Sequence, residues 1–148
     1  MSKDPKILRP AIYPLYVQWS GLMAQNGFGY AITRTGCSLA EQMAIYTQGR
    51  MTLPDVNRFR TAAGLYLLAP ADNKVVTWTL KSEHILGPDG YCNAWDFVLL
   101  KDGRPTWDVK IDVDNDQIPD YVEAGKLAES IGLVAGMHFK DFCHIQGK

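Results

Sequence analysis

Cysteine and histidine are both scarce in this chain, three of each among 148 residues, and no C-x-x-C pair occurs. Cys37, Cys92 and Cys143 are odd in number and widely spaced, which excludes a disulfide framework and a thiolate zinc knuckle. Reduced thiols are expected, with one bridge at most. Long apolar runs are missing too. After Met1-Ser2-Lys3-Asp4-Pro5-Lys6 the chain is interrupted by Pro10, Pro14, Gln18 and Ser20, so neither a signal-peptide core nor a membrane span is encoded. The expectation is a chain that stays in the cytoplasm where it is made. An excess of one charge is likewise absent: 15 Lys and Arg face 16 Asp and Glu, a formal net charge of -1. Such a balance gives no global attraction to nucleic acid or to an anionic membrane, and a partner must be recognised locally. With no repeat, low-complexity tract or linker, residues 1–148 are expected to form one domain around one core, acting as a monomer.

Local patterns then supply the elements. Ile12, Leu15, Tyr16, Trp19, Leu22 and Met23 recur at helical spacing between Pro10 and Gly27, predicting an amphipathic helix closed by glycine. A short strand over Tyr30 to Thr33 follows. Ser38-Leu39-Ala40-Glu41 is a capping box that opens a second helix ending at Gly49. Pro54-Asp55 opens a helical turn in the less legible stretch from Met51 to Leu68. Val75 to Leu80 and Trp95 to Leu100 alternate and are rich in β-branched or aromatic residues, so both read as strands. Lys101-Asp102-Gly103-Arg104 has turn chemistry, with Trp107 to Ile111 expected as the returning strand. Ala124, Leu127, Ala128 and Ile131 mark a last helix ending at Gly132, followed by strands near Leu133 and through Cys143 to Gln146. The fold class is α+β: a small, mostly antiparallel sheet with helices packed on one face.

The chemistry concentrates at His84, Asp96 and His144. Catalytic zinc takes three ligands from His and carboxylate and keeps a fourth position open, and these three side chains supply that set. Asp141, three residues before His144, can face the same cavity as a proton carrier. A serine nucleophile has no motif behind it, and a cysteine-based site from Cys37, Cys92, Cys143 and His138 has no supporting spacing.

Three ordered segments carry a resemblance. Ala40-Glu41-Gln42 with Ala44-Ile45-Tyr46-Thr47-Gln48-Gly49-Arg50 resembles EQ-x-x-LYAQGR. Ser82-x-His84 with Ala94-x-Asp96 resembles S-x-H-x-x-G-x-A-x-D, and Asp141-x-x-His144 resembles D-x-PHF. All three belong to the zinc D-Ala-D-Ala peptidase family, which includes phage endolysins cutting L-alanyl-D-glutamate bonds. The likeness runs from about Ile32 to Gln146. It implies His84, Asp96 and His144 as zinc ligands and Asp141 as catalytic base, with Arg34 or Arg50 stabilising the oxyanion or gripping a substrate carboxylate. Apart from the resemblance, Ser82, two residues before His84, is read as binding substrate, orienting the ligand loop or simply ending the preceding strand, and His138 as lining the cleft or hydrogen-bonding near it. Two departures stand out. Ile85 to Asn93 lengthens the loop between His84 and Ala94, which makes Asp89 a rival to Asp96. The arginine register is also shifted, since Arg34-Thr35 precedes Gly36-Cys37-Ser38.

A second pattern spans Asp112 to Glu123. Asp112, Asp114, Asp116, Asp120 and Glu123 occupy positions one, three, five, nine and twelve of an EF-hand-type loop, with the Ile118 carbonyl at seven. Gln117 stands where such loops use glycine. The loop reads either as a calcium site or as an acidic turn in which Asp120 caps the following helix.

The expected function is a zinc peptidase of bacterial peptidoglycan, held in the host cytoplasm until a holin-type partner releases it to the cell wall. The alternatives are a D-alanyl-D-alanine carboxypeptidase or dipeptidase, and a non-catalytic zinc and calcium binding module.

Overall fold

The computed structural model describes residues 1–148. The chain is α+β, with four α-helices and a five-stranded antiparallel sheet. The helices are α1 (Tyr13–Gln25), α2 (Leu39–Thr47), α3 (Leu53–Ala62) and α4 (Asp120–Ser130). The strands are β1 (Gly29–Arg34), β2 (Ala94–Lys101), β3 (Arg104–Thr106), β4 (Val134–Ala135) and β5 (His144–Gln146), in the order β1-β2-β5-β4, with β3 pairing β2 beside β5.

Helix α1 begins with Pro14 in its first turn and ends at Gly27, whose φ of +79° suits glycine. Its stripe buries Trp19 and Met23 completely. Trp19 lies 5.6 Å from Trp95 and 5.1 Å from Phe97, both on the inner face of β2, and its indole N–H donates to the Ala124 carbonyl of α4 at 3.0 Å. Trp95, Phe97 and Leu99 alternate along β2 and are all buried in this core, while Asp96 between them faces the other way. Burying a side chain such as Phe97 contributes on the order of 1.5–3 kcal/mol.

Helix α2 starts as its capping box requires: the Ser38 hydroxyl accepts from the Glu41 N–H, and Glu41 accepts from the Ser38 N–H. Helix α3 is longer than the expected turn, capped by Thr52. Two other expectations are corrected. Val75 to Leu80 is not a strand. Side chains of α2 and the residues following it hold that segment instead, with Gln42 Nε2 donating to Thr77 Oγ1 and the Thr79 carbonyl, and Arg50 donating to the Thr77 carbonyl. The returning strand after β2 is β3, not Trp107 to Ile111. Asp102 and Gly103 both take positive φ, +51° and +73°, forming a two-residue turn that starts the return at Arg104. Pairing stops at Leu99–Thr106, where the Tyr121 hydroxyl accepts from the Leu99 N–H and donates to the Thr106 carbonyl. No helix is long and apolar enough to cross a membrane.

Candidate metal centre

The register of three neighbouring strands builds one side of the site. Asp96 in β2 pairs with Arg34 at the end of β1 and with His144 at the start of β5, so the three side chains form a row on the face opposite the α1 and α4 core. His84 approaches from the loop before β2. Its N–H is held by the Ser82 hydroxyl at 3.3 Å, and its carbonyl accepts from the Cys37 N–H at 2.9 Å.

Three potential ligand atoms converge. His84 Nε2 lies 3.0 Å from Asp96 Oδ1 and 3.2 Å from His144 Nδ1, and His144 Nδ1 lies 2.9 Å from the same Oδ1. Ligand atoms of a tetrahedral zinc site with bonds near 2.1 Å stand roughly 3.4 Å apart, close to this spacing. The outer ring nitrogens decide what the inner ones carry. His84 Nδ1 lies 2.6 Å from the Thr35 carbonyl, which can only accept, so the ring proton sits on Nδ1. His144 Nε2 lies 2.8 Å from Gln146 Oε1, an acceptor in this orientation. With both imidazoles neutral in these tautomers, two nitrogen lone pairs and a carboxylate oxygen meet, so a proton or a metal cation must sit among them. The buried His84–Asp96–His144 cluster can hold a metal ion. The donor set suits zinc and equally the two-histidine, one-carboxylate sites of ferrous iron.

The electrostatics follow. Burial pushes the Asp96 carboxyl up, but hydrogen bonds from His144 and His84 and the charge of Arg34 hold it well below the usual carboxylate range. Burial lowers His144, and the Asp96 carboxylate more than reverses this, so its imidazole is raised. Asp141 is exposed, and its carbonyl accepts from the His144 N–H at 3.0 Å. Partial burial and the Asp96 charge raise its pKa, against the opposing pull of His144, Arg34 and His84.

The remaining candidate residues separate. Arg34 Nε donates to Asp96 Oδ2 at 3.0 Å, and neither Nη group has a protein partner. Ser82 orients the His84 turn. Asp89 is exposed and pairs with Arg9 at 3.9 Å, outside the cluster that contains Asp96. Arg50 is not at the cluster: its guanidinium stacks on Tyr46 at 3.9 Å and donates to the Tyr46 and Thr77 carbonyls. His138 is exposed, and its ring pairs with Glu129 of α4. Sequence patterns passed over Thr35, Gln146 and Gly136. Thr35 acts through a backbone carbonyl, which leaves no side-chain signature. Gln146 sits two residues from His144, a spacing that puts both on one face of a strand. Gly136 packs against the Asp141–His144 turn.

The acidic loop is also folded inward. Asp112 accepts from the Asp116 and Gln117 N–H groups, and Gln117 adopts φ +75° at the position where a glycine was expected. Oxygens of Asp112, Asp114 and Asp120 gather within 4.8 Å of one another, as do those of Asp114, Asp116 and Glu123. Asp120 does not cap α4. It is the first helical residue, and its carboxylate accepts from the Val113 N–H. Glu123 Oε2 is buried without a hydrogen-bond partner. Burial and the neighbouring aspartates raise the pKa of both Asp120 and Glu123.

No family model matches the chain, and no curated protein matches it.

Proposed function

We propose that the protein is a zinc-dependent peptidase that hydrolyses the stem peptides of bacterial peptidoglycan at the L-alanyl-D-glutamate bond, in the manner of a phage endolysin. The observation that carries the metal assignment is the triangle of His84 Nε2, Asp96 Oδ1 and His144 Nδ1, with the outer nitrogen of each ring facing an oxygen acceptor. The substrate assignment rests on the likeness of the three ordered motifs to the zinc D-Ala-D-Ala peptidase family.

His84, Asp96 and His144 would hold the ion. When bound, zinc supplies a Lewis acid for a carbonyl oxygen and acidifies water. Asp141 accepts a proton from the water that adds to the scissile carbonyl carbon, and delivers it to the nitrogen as the C–N bond breaks. Arg34 fixes Asp96 through Nε while its Nη groups remain free to bind a substrate oxygen.

A second metal reading concerns the acidic loop. The buried, unpartnered Glu123 Oε2 beside Asp114 and Asp116 fits an oxygen-ligated calcium ion that braces the start of α4.

The test is digestion of purified sacculi by the full chain loaded with zinc, followed by mass analysis of the released peptides. New alanine carboxyl termini and glutamate amino termini are expected. Asp141→Asn, which leaves the backbone turn intact, should lower the rate by about 10²- to 10⁴-fold while retaining zinc. Release of terminal D-alanine alone would reassign the bond. Undiminished release by Asp141→Asn, or iron rather than zinc in the isolated protein with no hydrolysis, would overturn the proposal.

A further inference from the structure

The two histidines of the cluster present different nitrogens to it: His84 its Nε2, His144 its Nδ1. A histidine binds a cation only through a ring nitrogen that carries no hydrogen, so each residue must be held in the opposite tautomer from the other. For His84 the carbonyl of Thr35 enforces this, because a carbonyl cannot donate. For His144 the only contact to the outer nitrogen is Gln146 Oε1 at 2.8 Å. A glutamine amide is ambiguous, since its oxygen accepts and its nitrogen donates. Only the accepting orientation puts the proton on Nε2 and leaves Nδ1 free to face Asp96.

The backbone makes that contact rigid. Gln146 is paired with Ala94 of β2 on one side and Val134 of β4 on the other, and it follows His144 by two residues on the same strand. Both side chains therefore rise from one face of a strand that cannot slide. The amide is also neutral. A carboxylate in its place would add electron density to the imidazole and a second negative charge to the cluster, whereas glutamine leaves Asp96 as the only charged member of the ligand set.

We propose that Gln146 is the positioning residue of the metal centre: it accepts from His144 Nε2–H, commits that ring to metal binding through Nδ1, and does so without adding charge. The inference rests on the metal-centre reading above.

The test compares zinc affinity, by competition with a chromophoric chelator, for the full-length wild type, Gln146→Met and Gln146→Glu. Methionine matches the length and cannot accept a strong hydrogen bond; glutamate can only accept. Gln146→Met should bind zinc 10- to 100-fold more weakly, the usual loss when an outer partner of a ligand histidine is removed. Gln146→Glu should stay within threefold of wild type or bind more tightly. Long-range proton–nitrogen correlation spectra of the zinc-loaded wild type should show the His144 proton on Nε2. Equal affinities for Gln146→Met and wild type, an equal loss in Gln146→Glu and Gln146→Met, or a proton on Nδ1 would each overturn the assignment. Should Gln146→Met fail to fold, the wild-type spectrum and the Gln146→Glu affinity still decide. A wild type that binds no zinc overturns the metal-centre reading itself, a result distinct from any of these.

Discussion

Gly136 offers a measurement of how tightly the candidate metal centre is built. It follows β4 and opens a short 3-10 turn, and its carbonyl accepts from the Asp141 N–H at 2.9 Å. A Cβ added to it would lie 2.1 Å from the Asp141 carbonyl oxygen, 2.8 Å from His144 Cβ and 3.0 Å from the His144 carbonyl oxygen. Its φ is not positive, so the requirement for glycine is one of space and not of backbone conformation. Since ordinary contact begins at 3.4 Å, Gly136→Ala must push the Asp141 backbone away by about 1.3 Å. The displaced segment is the turn that carries both Asp141 and His144. Overpacking of this kind costs about 1–3 kcal/mol, and a displacement near 1 Å at a reacting group costs on the order of 10²-fold in rate. A metal ligand tolerates less, about 0.2 Å. Gly136→Ala should therefore weaken zinc binding by roughly 100-fold or more and lower the melting temperature by roughly 3–12 °C. Competition titration and thermal denaturation measure the two effects. Gly132→Ala is the control, because Gly132 has φ +91° and open space around it: that variant should lose stability and keep its zinc affinity. If Gly136→Ala bound zinc within threefold of wild type, the claim that this backbone contact positions His144 would be wrong.

Arg34→Gln removes the guanidinium from Asp96 Oδ2 and should weaken zinc binding about 10-fold with little change in melting temperature; unchanged affinity would show that Arg34 does not fix Asp96. In the acidic loop, the raised pKa values of Asp120 and Glu123 mean that the folded state holds their protons more tightly than the unfolded chain does. Their contribution is complete below the ordinary carboxyl pKa of about 4 and is lost as pH rises through the higher folded values. Added calcium should thus raise the melting temperature more at pH 7 than near pH 4, where more of these carboxyls hold a proton. A melting temperature indifferent to calcium at both pH values would leave the loop as a plain acidic turn.

Elements with local signals were readable from the chain. Gly27 closes α1, the Ser38–Glu41 box starts α2, and the Asp102-Gly103 turn closes the β2 hairpin, each through groups within a few residues. Elements that depend on distant partners were not. Val75 to Leu80 alternates like a strand, yet alternation only permits pairing, and here the polar groups of Thr77 and Thr79 are taken by Gln42 and Arg50. Helix α3 hid for the opposite reason. Arg60 sits buried on its inner face, with Nε on the Tyr66 carbonyl and Nη1 on Gln48 Oε1, so a charged residue interrupts the apolar stripe that would have revealed the helix.

The row of site residues has a cause that the chain does display, though only in its core pattern. Trp95, Asp96 and Phe97 alternate, and both aromatic side chains are fully buried against α1 and α4. The pleat therefore forces Asp96 onto the opposite face. Ile145, also fully buried, pairs with Trp95, and this in turn sends His144 to the same face as Asp96. The hydrophobic side of the sheet thus fixes the register, and the register brings the two ligand candidates together. A slip of one residue between β2 and β5 would place Ile145 beside Asp96 and expose it, at a cost of about 1.5–3 kcal/mol for that side chain alone. What this logic cannot encode is the loop partner. His84 is positioned by the Thr35 carbonyl and the Cys37 N–H, backbone groups that any residue type would supply. The middle ligand was doubtful in the sequence because the loop before it is long. In the folded chain Asp96 is instead the member most firmly set by packing, and it is His84 whose placement depends on contacts no side-chain pattern announces.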